Sequence, residues 1–292
     1  MSPVIGLSNV GAAIALGLAA AALYGLTDLL AGLAARRVGT PRTMFYGHLL
    51  GACGFTGWVL YAGVPTAPLA SWLVALLSNA LGLAATASLY RALALGPLSI
   101  VSPVAATYGV ISAVLSVVTG ESLTTLAWLG VILATAGGAI MARQAPTPGS
   151  VVTGGSGPLF AVAAALAYGI SFWLQGRYAV PALGFVVPVA TYYLLGVVAI
   201  GAYARVLRLS LAAPSGRSLV LVLSTAIAAV GGSLALAAGQ ATGHVAIVTV
   251  MSALASAVTV LLAWAVLKEP VRAAAWAALG VIVLGLALLH AT

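Results

Sequence analysis

Acid is almost missing from this chain. Its 292 residues hold three carboxylates, Asp28, Glu121 and Glu269, against eleven Lys and Arg, and charged residues make up 5% of the whole. Soluble domains carry about 25% charged residues, so a water-soluble fold is excluded. Three His, one Cys and three acids fall on separate stretches without metal-ligand spacing, so no metal site and no cofactor are expected. No Gly-Lys-Ser/Thr loop is present, so the chain carries no ATPase of its own. Cys53, as a lone cysteine, forms no intrachain disulfide. The opening MSPVIGLSNV lacks the basic start of a signal peptide, so the first apolar run is expected to stay as a helix.

What the chain has is apolar residue, 63% of the total. Runs near 20 residues cross a bilayer as helices, and ten are expected: 10–34, 42–62, 70–94, 98–119, 124–142, 158–178, 182–204, 217–241, 244–267 and 271–290. Pro and Gly mark the breaks, at Pro41, Pro65, Pro68, Gly96-Pro97, Gly120, Pro181, Pro214, Gly243 and Pro270. The stretch 144–157, QAPTPGSVVTGGSG, reads as a flexible linker. It separates a first five-helix unit, 1–143, from a second, 158–292.

The two units repeat. Residues 89–143 and 236–290 share a Gly (Gly96, Gly243), an apolar run, a lone glutamate (Glu121, Glu269), a Trp seven residues later (Trp128, Trp276) and a Gly-containing run. The first helices align too, Tyr24-Gly25 with Tyr168-Gly169 and Gly32 with Gly176. Five spans is an odd number, so two like units enter the membrane from opposite sides, the pattern of a transporter built from inverted halves. Charge agrees. Arg36, Arg37, Arg42, Arg91, Arg143, Arg205, Arg208, Arg217, Lys268 and Arg272 fall on one side of this topology, and only Arg177 on the other. The positive-inside rule makes the rich side cytoplasmic and puts both termini outside. These single and paired charges at run ends are no nucleic-acid footprint. The fold class expected is all-α integral membrane, with ten helices as two inverted five-helix repeats around a central cavity.

At this point the sequence resembles the drug/metabolite transporter superfamily, in particular its ten-helix EamA-type exporters. The residues that carry the resemblance are Tyr90-Arg91-Ala92-Leu93, Gly96-Pro97, Ser102-Pro103, Gly120-Glu121 and Trp128-Leu129-Gly130. In the second half they are Gly243, Thr249, Lys268-Glu269-Pro270, Trp276 and Leu279-Gly280. Within that group it is similar to the YddG-type exporters of aromatic and neutral amino acids. The resemblance implies secondary transport by alternating access in a bacterial inner membrane, with export as the direction. Val250 stands where the first half has Pro103, so a kink is expected in the fourth helix and not in the ninth.

Asp28 is the only acid inside an expected span. A mid-span carboxylate costs about 2.5–3.5 kcal/mol on insertion and usually faces a cavity. It is the candidate for proton coupling; its rival role is to reach headgroup water or a neighbouring helix. Tyr24, Thr27, Asp28 and Ala31 share a helical face, matched in the sixth helix by Tyr168, Ser171, Phe172 and Gln175, so Phe172 replaces Asp28 there. Asn79, Thr86 and Tyr90 share a face of the third helix. Asn79 either holds a solute's carboxylate or ammonium or bonds a neighbouring helix. His48 either relays protons or is a satisfied structural histidine. Tyr46, Tyr108, Trp173 and Trp264 are candidate aromatic walls, or interface belts. Glu121 and Glu269 are expected to bond the amides at the start of the next helix. Gly96, Pro97, Pro103, Gly120, Gly243 and Pro270 are candidate hinges.

A phosphate-bearing solute wants Arg or Lys in the cavity, and every basic residue lies near a span end. What suits the chain is a small zwitterion with an apolar part, aromatic and neutral amino acids first. A lipophilic cation held by Asp28 is the alternative, and a passive facilitator a third. An intramembrane enzyme would need a nucleophile and base, and His48 is the one deeply placed base. The partners expected are amino acids and lipid, no nucleic acid, with a monomer sufficient.

Overall fold

The computed structural model describes residues 3–142, 156–268 and 273–290. Among them every regular element is helical: α1 (Pro3–Val38), α2 (Thr40–Ala62), α3 (Leu69–Leu95), α4 (Leu98–Ala105), α5 (Tyr108–Val118), α6 (Thr125–Ala142), α7 (Gly157–Leu174), a π turn (Gln175–Ala179), α8 (Val180–Leu183), α9 (Val186–Val206), α10 (Gly216–Gln240), α11 (Val245–Ser252), α12 (Ala255–Leu267) and α13 (Ala273–His290). Among the described residues seven helical runs are long and apolar enough to cross a membrane: 9–38, 69–95, 98–118, 157–183, 186–206, 216–240 and 245–267. The other long helices are α2, α6 and α13. Large apolar side chains such as Leu60 (80% exposed) and Val206 (79%) face outward, as a lipid-facing surface requires. Most of the expected linker, with Arg143, Glu269, Pro270 and Arg272, lies outside the described residues.

The expected fourth and ninth spans are each two helices, α4–α5 and α11–α12, broken at Ala106–Thr107 and at Ala253–Leu254. The straight ninth helix expected from the missing proline is therefore corrected. The cause is backbone hydrogen bonding that tightens from i−4 to i−3. Thr107 N bonds Val104 O and Gly109 N bonds Ala106 O in the first break; Leu254 N bonds Met251 O and Ala257 N bonds Leu254 O in the second. Such 3₁₀-type turns bend a helix without proline. In α11 the hydroxyls of Thr249 and Ser252 also bond back to Val245 O and Thr249 O, a helix-bending habit of Ser and Thr.

Pro181 does not end the sixth span. The run continues to Leu183, because the π turn immediately before Pro181 widens the helix where a proline ring would crowd the carbonyl four residues back. True ends fall at glycines in the left-handed region, Gly120 (φ 104) closing α5 and Gly243 (φ 88) preceding α11. There a Cβ would be strained.

α1 packs along α10 and α3 along α7, while α2 packs on α9 and α6 on α13. Exchanging the two halves maps this set of pairs onto itself. The close approaches repeat as well. A Cβ on Gly25 would meet Val258 Cβ at 2.5 Å and Ala255 O at 2.8 Å; on Gly169 it would meet Ile111 Cβ at 2.5 Å and Tyr108 O at 3.2 Å. Small residues let helix backbones meet this closely. At one end of the bundle Arg36 donates to Gly96 O (2.7 Å) and Arg42 to Ser210 O (2.9 Å). Arg177, at the other, donates to Thr119 O (2.9 Å).

Candidate functional site: a cavity between the halves

A cavity of about 100 Å³ lies where α1, α2, α3, α4, α5, α7, α9, α10 and α12 converge. Of the sequence candidates, Tyr24, Asp28, His48, Asn79, Thr86, Tyr90, Tyr108, Tyr168, Ser171, Phe172 and Gln175 line it. Trp173 does not. It turns away, donating from Nε1 to Thr119 Oγ1 (3.1 Å) with its ring against Tyr178. Tyr46 caps the loop after α9 by donating to Leu211 O (2.8 Å), and Trp264 lies half exposed against Trp276.

Asp28 is buried in α1; its Oδ2 accepts from Ser102 of the first half and lies 3.1 Å from the hydroxyl of Thr259 of the second, whose hydrogen is shared with Ala255 O (2.8 Å). It thus joins the units. No Lys or Arg lines the cavity among the described residues. One wall is aromatic: Phe172 stacks on Tyr168 (5.1 Å between ring centres) and meets Tyr108 edge-on (5.2 Å). The opposite wall carries His48 against Tyr192 (5.0 Å) and Tyr193 (5.3 Å). His48 Nδ1 is 2.8 Å from Met44 O, so Nδ1 carries the hydrogen and Nε2 is a bare lone pair, buried with no partner among the described residues.

Asn79 takes its neighbour-bonding role. Its Nδ2 donates to Pro188 O (3.2 Å) and Thr191 Oγ1 (2.9 Å), tying α3 to α9. Both amide hydrogens are spent, which leaves only its carbonyl oxygen to meet a solute.

Tyr192 and Tyr193 of α9 and Thr225 and Ser233 of α10 also line the cavity; sequence reasoning passed over them. Their one signal is two adjacent tyrosines in mid-run. α9 is broad enough to show both to the cavity, and they end on Thr86 (2.6 Å) and Ser233 (3.3 Å).

Glu121 bonds a helix start, but not the next one. Both its oxygens accept from Ala246 N–H (3.0 and 3.1 Å) at the head of α11, in the other half. Burial pushes its carboxyl above the usual range, against the pull of that amide and of Arg177. Of the expected hinges, Gly96 ends α3, Pro97 precedes α4, Pro103 lies inside α4, and Gly120 and Gly243 hold positive φ.

Residues 11–143 match the model of the EamA-like transporter family. That match falls within the first half of the chain. No curated protein matches the chain. Sixteen solved chains are similar to it. One is a crystal structure with a TM-score of 0.72 and 21% identity, over 95% of this chain and 96% of that one. That likeness is one of fold.

Proposed function

We propose that the protein is a secondary carrier of small zwitterionic metabolites, aromatic and neutral amino acids first. Ten spans form two inverted five-helix halves that alternate access to the central cavity. The observation that carries this reading is Asp28: the one ionisable acid among the described lining residues is met by a hydroxyl from each half. A group bonded to both halves senses their relative movement, which is what couples solute or proton binding to a rocking motion.

The aromatic wall of Tyr108, Tyr168 and Phe172 suits a flat or apolar side chain, and the absence of Lys and Arg among the described lining residues disfavours phosphates. The match to the EamA-like transporter family supports transport as the activity, and export is the direction proposed with it. The crowd of Arg at one end supports a cytoplasmic facing for that end, in a bacterial inner membrane, with both termini outside. A monomer contains the whole cavity.

A second reading, export of lipophilic cations, is favoured by one fact: Asp28 is the only formal charge among the described lining residues. Counterflow in proteoliposomes separates the readings. Labelled phenylalanine taken up faster into vesicles preloaded with phenylalanine supports the amino-acid carrier. Movement of a lipophilic cation alone supports the second reading, and uptake indifferent to preloading indicates a pore.

A further inference from the structure

Almost every hydrogen-bond donor on the cavity wall is already used. The hydroxyls of Thr27, Thr43, Thr225, Ser233 and Ser256 donate to backbone carbonyls three or four residues back. Thr86 does the same, and Tyr168 and Tyr192 point their hydroxyls at its oxygen. Tyr108 and Tyr193 are spent on Ser252 and Ser233, Ser171 on Ser78 O, and Ser102 on Asp28. Asn79 has used both amide hydrogens, and His48 offers a lone pair. Tyr24 is held only loosely, 3.5 Å from Ser233. The wall therefore offers acceptors to a solute and hardly any donors. An ammonium finds partners on many sides; a carboxylate needs a donor, and a buried carboxylate without one is costly.

Two lining side chains make no hydrogen bond to any described residue, Tyr90 and Gln175. They stand at opposite ends. α3 and α7 run antiparallel, with Ser78 bonded to Ser171 and Thr86 to Tyr168. Tyr90 lies roughly 18 Å along α3 from Ser78, while Gln175 lies a turn beyond Ser171 in the other direction. Asp28 is at the level of Tyr90. α1 and α3 run parallel there: Arg36 reaches Leu93 O and Gly96 O, and Gly32 approaches Leu93. Asp28 and Tyr90 each stand about one turn before that contact, both open to the cavity and not bonded to each other.

We propose that Tyr90 is a specificity-determining residue: its hydroxyl takes the carboxylate of a bound amino acid whose ammonium sits at Asp28. This rests on the amino-acid reading above and deepens it. Asn79, the sequence's own candidate for the carboxylate, is excluded as a donor by its bonds to α9.

The test is exchange of labelled phenylalanine and of phenethylamine, its carboxylate-free counterpart, in proteoliposomes, for the wild type, Tyr90→Phe and Tyr61→Phe, Tyr61 being an outward-facing tyrosine (89% exposed) away from the cavity. The expected result is a KM for phenylalanine raised on the order of tenfold in Tyr90→Phe, phenethylamine unchanged, and less than a twofold change for either solute in Tyr61→Phe. Equal shifts for both solutes in Tyr90→Phe, or none, would overturn the proposal while leaving the carrier intact. Wild-type exchange of phenethylamine without phenylalanine would overturn it too. No exchange of either solute by the wild type would overturn the amino-acid reading itself.

Discussion

Gly25 and Val258 stand so close that a methyl on the glycine would sit 2.5 Å from the valine Cβ. One half-exchange away, Gly169 and Ile111 stand at the same spacing. Each pair joins the first helix of one half to the broken rod of the other.

Adding that methyl is overpacking in a place where the second atom belongs to a branched side chain, which costs about 1–3 kcal/mol. Gly25→Ala and Gly169→Ala are each expected to lower the melting temperature in detergent by several degrees. Gly54→Ala, whose methyl would meet nothing within 4 Å, is expected to leave it level or higher. Thermal unfolding of the three variants checks this; unequal losses at the two matched glycines would break the equivalence of the halves.

Asp28→Asn keeps an acceptor oxygen for Ser102 and Thr259 and removes only the charge. Exchange of phenylalanine should fall at least about tenfold, with a melting temperature near that of the wild type. A drop in stability of the same size as the loss of flux would make Asp28 a structural residue.

A methyl at Gly196 would overlap the His48 ring. Gly196→Ala alone should therefore cost both stability and flux, by forcing the ring out of its slot between the helix and Tyr192. In a His48→Ala background the same methyl has room. The double-mutant cycle should show a coupling of roughly 0.5–3 kcal/mol in unfolding; strict additivity would argue against the contact.

Glu121 gives a pH test. Its carboxyl is raised in the folded protein, chiefly by burial. A raised acid binds its proton more tightly folded than unfolded, so its contribution to stability is complete below the ordinary glutamate range and is lost as pH rises through the folded value. Glu121→Gln does not ionise. Its melting temperature should gain on the wild type between about pH 4 and about pH 8, most steeply just above the usual glutamate range. A constant gap across that interval would refute the assignment.

The sequence carried much of this architecture because apolar run length and glycine punctuation report directly on bilayer-crossing helices, and because Tyr24-Gly25 and Tyr168-Gly169 repeat openly. It carried Asp28 because a lone acid in an apolar run has few uses. It could not carry the break in the ninth run. There the bend comes from hydrogen bonds shifting by one residue, with help from Thr249 and Ser252, and hydroxyls are common in unbroken helices as well. Trp173 and Tyr108 look alike in the sequence as aromatic residues in mid-run; only the rotation of α7 and α5 sends one to Thr119 and the other to the cavity. The state of Asn79 was illegible for a similar reason, since Pro188 and Thr191, more than a hundred residues on, decide what its amide does.

The π turn at Gln175–Ala179 has no counterpart in α1, which runs unbroken through the matching Gly32. A twofold object seen from its two ends looks the same; this one does not. The carboxylate lies toward one end of the cavity, and the widened turn toward the other. In the carrier proposed above the two facings are therefore unlike, and the empty protein has a preferred direction in which to wait.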